Sequence, residues 1–299
     1  MKRFRRLLVG LNLTDQDNAV IQAAREITQL FQSEKVCFMY VAELPDVPEE
    51  ISEKYPDLLR PLEKDAEKMM REKVDRYYKG APVTNIAYEV VEGKQVDMLL
   101  QHISKKDIDL VVVGRKRWEK ISGHVAEHLA RKAPCSVLII PEGNNMILKN
   151  ILVGTDFSPH SKEAMDTAIA FAFGTGTAKI FCLHIIGYQS PDKYYDGFFG
   201  LLKKVAREDF DKFLDQFNFQ GINLSSTIKV DHNIARAIRD FLWMHKSDLL
   251  IVGARGRSAA AAVLLGSVTE NLMRITNIPL LAVKRKGENM NLLKALFKR

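Results

Sequence analysis

Gly253, Gly256, Gly266 and Ser267 stand in the spacing G-x2-G-x9-G-S. Residues of these types suit phosphate binding. Gly253 leaves no Cβ between a ligand and the end of a strand, and Gly256 can take positive φ. That turn would point successive N–H groups inward as an anion nest. Gly266-Ser267 opens a helical segment whose first N–H groups and dipole favour negative charge. The Ser267 hydroxyl can bond a phosphate oxygen or cap its own helix, and Arg255 and Arg257 add cations. The plainer reading is glycine punctuation alone, with Gly266 as the C′ residue of a helix.

The remaining chemistry-bearing residues form weaker patterns. His124 and His128 are four apart on an expected helix, a metal-ligand spacing with no third ligand in view. His184 falls inside a strand and reads as a core or edge histidine. His160, after Pro159, has no nucleophile that would make a triad. Cys37, Cys135 and Cys182 are too few and scattered for a disulfide framework, and each lies in or beside an apolar run where a thiol packs as a small hydrophobe. No Walker loop occurs. The expected catalytic set and the expected metal site are therefore both none.

The elements that must position these residues come twice. Leu7–Thr14 aligns with Ile151–Ser158, Asp109–Gly114 with Asp248–Gly253, and Ala133–Ile140 with Asn277–Val283. Three paired strand signals in one order mark a tandem duplication, joined by the turn-rich Pro141–Asn145. In the second half, Ser158-Pro159 signals a helix start. Apolar spacing at 164, 168, 171 and 172 continues that helix until Gly174 stops it. A stripe of Phe199, Leu202, Ala206, Phe210, Phe213 and Phe217 marks a long second helix. The expected order in each half is β-α-β-α-β-α-β-α-β. Its strands are continuous apolar runs, as in a parallel sheet covered on both faces. Ligands of such doubly wound sheets bind at the carboxyl ends of the strands, where the strand order switches.

Bulk properties agree with this. The 299 residues suffice for two domains, and 46% hydrophobic with 27% charged residues describes a globular chain. No run approaches the roughly 20 apolar residues of a membrane span, and the basic, apolar start reads as a first strand, so a cytoplasmic location is expected. A net charge of +7 favours anionic partners in general. The basic residues make no aromatic-interleaved cluster, which leaves nucleic-acid binding unsupported.

Leu249–Gly256, Leu264–Asn271, Pro279–Val283 and Ile151–Ser158 resemble the ATP-binding subclass of the universal stress protein family, and the resemblance extends over both halves. It implies two doubly wound, five-stranded parallel α/β domains in tandem, adenine nucleotide alpha hydrolase-like and Rossmann-like, packed as an intramolecular pseudo-dimer. That packing would pair Ser136–Ile140 with Leu280–Val283. The implied boundaries are 1–143 for a degenerate domain, 147–287 for a nucleotide-binding one and 288–299 for a basic amphipathic tail. By the same resemblance Asp156 holds the adenosine, Ile185 packs near the adenine, and Gly253, Gly256, Gly266 and Ser267 cradle ribose and phosphates. Val268 joins that cradle through its N–H, and Arg255 lines it. Asp156 also reads as a plain turn-capping residue.

The first half departs from this pattern. Asn12 stands in the place of Asp156, Arg115-Lys116-Arg117 overwrites the glycine loop, the segment to Gly123 is shorter, and His124 replaces the serine. We expect this half to have lost the nucleotide site and its cations to form a solvated loop. The leading expectation is a non-enzymatic stress-response protein with ATP or another adenine nucleotide, with or without Mg2+, in its second domain only. A homo-oligomer or the internal pseudo-dimer is its expected assembly, and weak ATPase activity is compatible with it. The alternatives are a nucleotide-independent interaction scaffold and an adenylating enzyme. The enzyme would carry a Ser-Gly-Gly-type loop where this chain has Gly154–Ser158.

Overall fold

The computed structural model describes residues 3–43, 62–80, 85–116, 124–176, 178–188, 197–219, 221–257 and 265–285. The chain forms two compact units and passes from one to the other between Met146 and Ile147. The first unit contains β1 (Arg6–Leu11), α1 (Asp17–Phe31), β2 (Lys35–Ala42), α2 (Leu62–Tyr77), β3 (Asn85–Glu92), α3 (Gln95–Lys106), β4 (Leu110–Arg115), α4 (His124–Lys132) and β5 (Ser136–Pro141). The second contains β6 (Asn150–Thr155), α5 (Pro159–Thr175), β7 (Lys179–Gly187), α6 (Phe198–Leu214), β8 (Asn223–Asp231), α7 (Ile234–Met244), β9 (Leu249–Gly253), α8 (Ser267–Ile275) and β10 (Leu280–Val283). The alternation expected from the sequence is present in both.

Strands of the first unit lie in the order β3-β2-β1-β4-β5, those of the second in the order β8-β7-β6-β9-β10. Neighbours within each unit run parallel. The order therefore reverses between β1 and β4, and again between β6 and β9. Loops leaving those paired strands part to opposite faces of the sheet and open a crevice at the carboxyl ends. The central strands carry the apolar runs because helices cover both of their faces: every residue of β9 is buried. β3 and β8, which open these orders, are only half-buried.

The helices follow from their caps and stripes. Ser158 Oγ accepts the Ser161 N–H at 3.2 Å and Pro159 takes the first helical position, so α5 starts where the sequence signals it. Ala164, Ala168, Phe171 and Ala172 are buried along it. The expected stop at Gly174 is wrong by two residues. The helix runs on to Thr175 and ends on Gly176 at φ +68°, the left-handed conformation that glycine takes cheaply. In α6, Ala206, Phe210 and Phe213 are buried, while Phe217 lies past the helix end and packs edge-on against Phe213 at 5.1 Å. Among the described residues no helix is long and apolar enough to cross a membrane.

Candidate functional site

At the carboxyl ends of β6 and β9 a cavity of about 500 Å³ opens in the second unit. Asp156, Ile185, Gly253, Arg255, Gly256, Gly266, Ser267 and Val268, the eight residues singled out in the sequence, all line it.

The loop after β6 is held by its own polar groups. Phe157 adopts φ +64°, unusual for a residue with a Cβ, and the Asp156 carboxylate stabilises the turn. One oxygen accepts from the Ser158 N–H at 3.1 Å and the Ser161 hydroxyl at 2.6 Å, and the other accepts from the Arg257 N–H at 2.7 Å. Burial disfavours the charged form, yet the hydrogen bonds from Ser158, Ser161 and Arg257 outweigh it and hold Asp156 below the usual carboxylate range. Asp156 thus fastens the glycine loop to the β6 turn. Above it the Phe157 ring stacks on His184 at 4.3 Å, with the Arg257 guanidinium 5.1 Å from the ring centre. His184 Nδ1–H donates to the Thr155 carbonyl at 2.8 Å, and burial lowers its pKa and keeps the imidazole neutral.

Each glycine of the motif has a different physical reason. A Cβ on Gly253 would lie 2.8 Å from His160 Cβ and 2.9 Å from its carbonyl carbon, so this glycine admits the first turn of α5 rather than a ligand. Gly256 does not take positive φ, which corrects the nest expected there. A Cβ on it would stand 2.7 Å from Asp156 Oδ2, so its smallness lets the carboxylate reach the Arg257 N–H. The anion facing that loop amide is the protein's own aspartate. At Gly266 the nearest atom to such a Cβ is the Ala254 carbonyl oxygen at 3.5 Å, an ordinary contact.

Gly266 is the N-cap of α8, at φ −71° rather than in the left-handed conformation of a C′ glycine, and no side chain caps α8. Ser267 is the first helical residue, so its hydroxyl is not used as a cap. By contrast, α5 and α7 are capped by Ser158 and Asn233. The opening N–H groups of α8 therefore face the cavity without a capping side chain, the arrangement that attracts anions. Thr269 Oγ1 donates to the Gly253 carbonyl at 2.9 Å and docks this helix on the end of β9. On the other side of the cavity, Leu183, Ile185, Ile234, Ile238 and Val252 form an apolar wall. Only Ile185 was singled out from the sequence. Ile234 and Ile238 carry a readable signal, an i, i+4 apolar pair directly after the Asn233 cap.

The first unit has a cavity of about 610 Å³ at the matching strand ends, lined among others by Asn12, Gln16, Glu43, Gln95, Arg115 and Lys116. Asn12 Oδ1 accepts from Gln95 Nε2 at 2.7 Å, and the Gln95 N–H donates to Glu43 at 3.1 Å. Gln95 opens its helix where Ile234 does in the second unit, Asn12 takes the place of Asp156, and Val113 repeats Val252, so one wall residue is replaced by an amide. Of the three cations expected in a solvated loop, Lys116 is exposed, whereas Arg115 ends β4 half-buried, with a pKa lowered by desolvation. Arg117 and Gly123 lie outside the described residues, as do the alanines at 259–262 and the C-terminal tail; for His124 the helix is described and the side chain is not.

The family model of the universal stress protein family matches residues 3–141 and again 148–284. The chain belongs to the universal stress protein family. A universal stress protein of Methanocaldococcus jannaschii is 28% identical over 163 residues, covering 48% of this chain and 99% of that protein. One from Mycobacterium tuberculosis (strain ATCC 25618 / H37Rv) is 25% identical over 207 residues, 66% of this chain and 67% of its own length. The crystal structure of a universal stress protein from Archaeoglobus fulgidus shares the fold, with a TM-score of 0.61 at 16% identity over 94% of this chain and 96% of that one. The two universal stress protein domains keep the same turn after their first strand. Leu13, at φ +58°, is the counterpart of Phe157. Asp17 accepts the Asn12 N–H at 3.0 Å, where in the second domain Ser161 Oγ accepts the Asp156 N–H at 3.1 Å.

Proposed function

We propose that the second universal stress protein domain binds an adenine nucleotide, ATP, and that the chain serves as a nucleotide-responsive regulatory module. One observation carries the reading: a single cavity joins an aliphatic wall to a helix N-terminus without a capping side chain. The wall of Ile185, Ile234 and Ile238 suits a flat, apolar base. The amides of Ser267 and Val268, with the Ser267 hydroxyl and Arg255, suit a phosphate chain. A magnesium ion would ride on the phosphates themselves, as that ion prefers. Asp156 has both oxygens engaged in protein hydrogen bonds and acts as the anchor of the loop. Glu270, the other carboxylate at the cavity, pairs with Arg274 at 2.9 Å. Both engagements favour binding over turnover.

The first domain has Asn12 in the place of Asp156, Gln95 in the place of Ile234 and Arg115-Lys116 where the glycine loop begins, so we assign it no nucleotide. The test is to denature the purified chain, chromatograph the released small molecules, and titrate the stripped protein with ATP by calorimetry. One equivalent of adenine nucleotide per chain is expected. No binding would leave an interaction scaffold, two equivalents would refute the assignment to one domain, and release of AMP with an acylated product would indicate an adenylating enzyme.

A further inference from the structure

The first domain holds a second polar cluster, none of whose residues lines its strand-end cavity. Cys37 on β2 and Glu89 on β3 project from neighbouring parallel strands, in which Cys37 faces Ala87 and Met39 faces Glu89. His102 comes from α3. The Cys37 Sγ, a Glu89 carboxylate oxygen and a His102 ring nitrogen lie within 4.8 Å of one another. His102 Nδ1 is 2.9 Å from Glu89 Oε2. Cys37 and His102 are each 7% exposed, while the half-buried Glu89 gives an ion a route from solvent.

The second domain shows that the fold does not need these groups. Cys37 pairs with Leu8 as Phe181 pairs with Leu152, and Glu89 faces Met39 as Thr227 faces Leu183. His102 precedes Asp109 by the same interval as Phe241 precedes Asp248. Phe181 and Phe241 pack edge-to-face with centroids 6.0 Å apart. Where one domain packs two aromatic rings beside a threonine, the other places a thiol and an imidazole beside a carboxylate. Burying polar groups in place of rings is unfavourable unless they find partners.

We propose that Cys37, Glu89 and His102 bind a divalent metal ion of borderline softness, zinc being the type, with water completing the coordination. Thiolate, imidazole and carboxylate are the donors zinc takes, whereas magnesium and calcium take oxygen. Zinc–ligand bonds of about 2.0–2.3 Å set the donors of a tetrahedron roughly 3.2–3.8 Å apart. The edges to sulfur therefore contract by no more than about 1.6 Å and the 2.9 Å His102–Glu89 edge widens slightly, which side-chain rotation provides. Without metal, burial pushes the Cys37 thiol up to about 12 and lowers His102, so the thiol is protonated and the imidazole neutral. Binding replaces the S–H proton by the metal–sulfur bond and releases that proton to water. Ion, thiolate and carboxylate then sum to zero charge. Lys105 and Lys106, which act electrostatically on His102, oppose the ion, while Glu89 attracts it.

The test uses the full chain, stripped with chelator and titrated with Co2+ and then Zn2+. One Co2+ per chain is expected, with a near-ultraviolet thiolate-to-cobalt charge-transfer band that Zn2+ abolishes. Cys37→Ser should lose the band and Cys182→Ser should keep it. His102→Phe restores the residue of the second domain and guards against misfolding; it should keep the wild-type circular dichroism and bind Zn2+ at least 10-fold more weakly. The proposal is overturned if stripped wild type binds no Co2+, if Cys37→Ser keeps the band, or if His102→Phe keeps full affinity. ATP titration of the same variants should be unchanged, so this outcome is independent of the nucleotide reading.

Discussion

Gly266→Asp separates folding from phosphate binding. A Cβ at Gly266 meets nothing nearer than 3.5 Å, and φ −71° with ψ 141° is open to any residue. Aspartate is among the preferred N-cap residues, gaining a few tenths of a kcal/mol over glycine, and its charge adds about 0.3–1 kcal/mol beside the helix dipole. The neighbouring Asp156 carboxylate offsets part of that gain. The variant should therefore melt no lower than wild type, within a rise of about 4 °C. Binding should move the other way. A carboxylate about 5 Å from a phosphate charge, at an effective dielectric constant near 20, repels it by about 3 kcal/mol. At about 1.4 kcal/mol per decade this is on the order of 100-fold in affinity, and the new side chain also takes up N–H groups the phosphate would use. Gly266→Asn occupies the same amides without charge and should lose only about tenfold.

Thermal melts and calorimetric ATP titrations of wild type, Gly266→Asp and Gly266→Asn at low and moderate salt decide the matter. The gap between the aspartate and asparagine variants should narrow as salt rises, because the repulsion is screened. Equal losses in both variants would mean that no phosphate lies at the α8 N-terminus. Two variants that bind like wild type would refute the cradle altogether.

Gly256→Ala is compatible with the backbone but drives its methyl group to 2.7 Å from Asp156 Oδ2; losing the charge-assisted bond to Arg257, worth about 1.5–3 kcal/mol, should weaken ATP binding about 10-fold or more in the same titration. Gly253→Ala instead meets the His160 backbone, and overpacking of about 1–3 kcal/mol should lower the melting temperature by about 3–10 °C. Asp156 has a folded pKa below its unfolded value, so its stabilisation is present above about pH 4 and is lost as pH falls through the folded value. Wild type should lose stability more steeply below pH 4 than Asp156→Asn, followed by denaturant titration across that range.

The duplication, the strands and the helix starts were legible because their causes are local. Buried parallel strands need continuous apolar runs, and Ser158-Pro159 is a cap followed by a residue with no N–H to satisfy. The cavity could be located because β6 and β9 must separate their loops at the switch point. Long-range causes stayed hidden. The edge-to-face packing of Phe181 on Phe241 and the convergence of Cys37, Glu89 and His102 join residues on separate strands and helices, which only the docking of helix on sheet brings together. Phe157 at positive φ carries no glycine to announce it; the stack of His184 and Arg257 about its ring holds the turn. The end of α5 slipped past Gly174 because a glycine inside a helix is only mildly unfavourable, and the left-handed cap two residues later was the stronger stop.

The two domains together sort the glycines by purpose. Gly10 and Gly154, in the first strand of each repeat, leave room for Val113 and Val252, whose nearest methyl groups would lie 3.1 and 3.2 Å from an added Cβ. Gly114 and Gly253, near the carboxyl ends of β4 and β9, both lie under the start of a helix: an added Cβ would meet Gln16 Nε2 at 2.7 Å in one and the His160 backbone in the other. These glycines occur in both repeats, with or without the glycine-rich loop, because the packing of helix on sheet requires them. Gly253, the first residue of the G-x2-G-x9-G-S spacing, is thus evidence for the fold and says nothing about a ligand. Gly256 serves the bond between Asp156 and its loop. At Gly266 an added Cβ would meet no close neighbour and the Ser267 hydroxyl caps no helix, so the case for phosphate rests on the N-terminus of α8, and a substitution there tests the function without disturbing the scaffold.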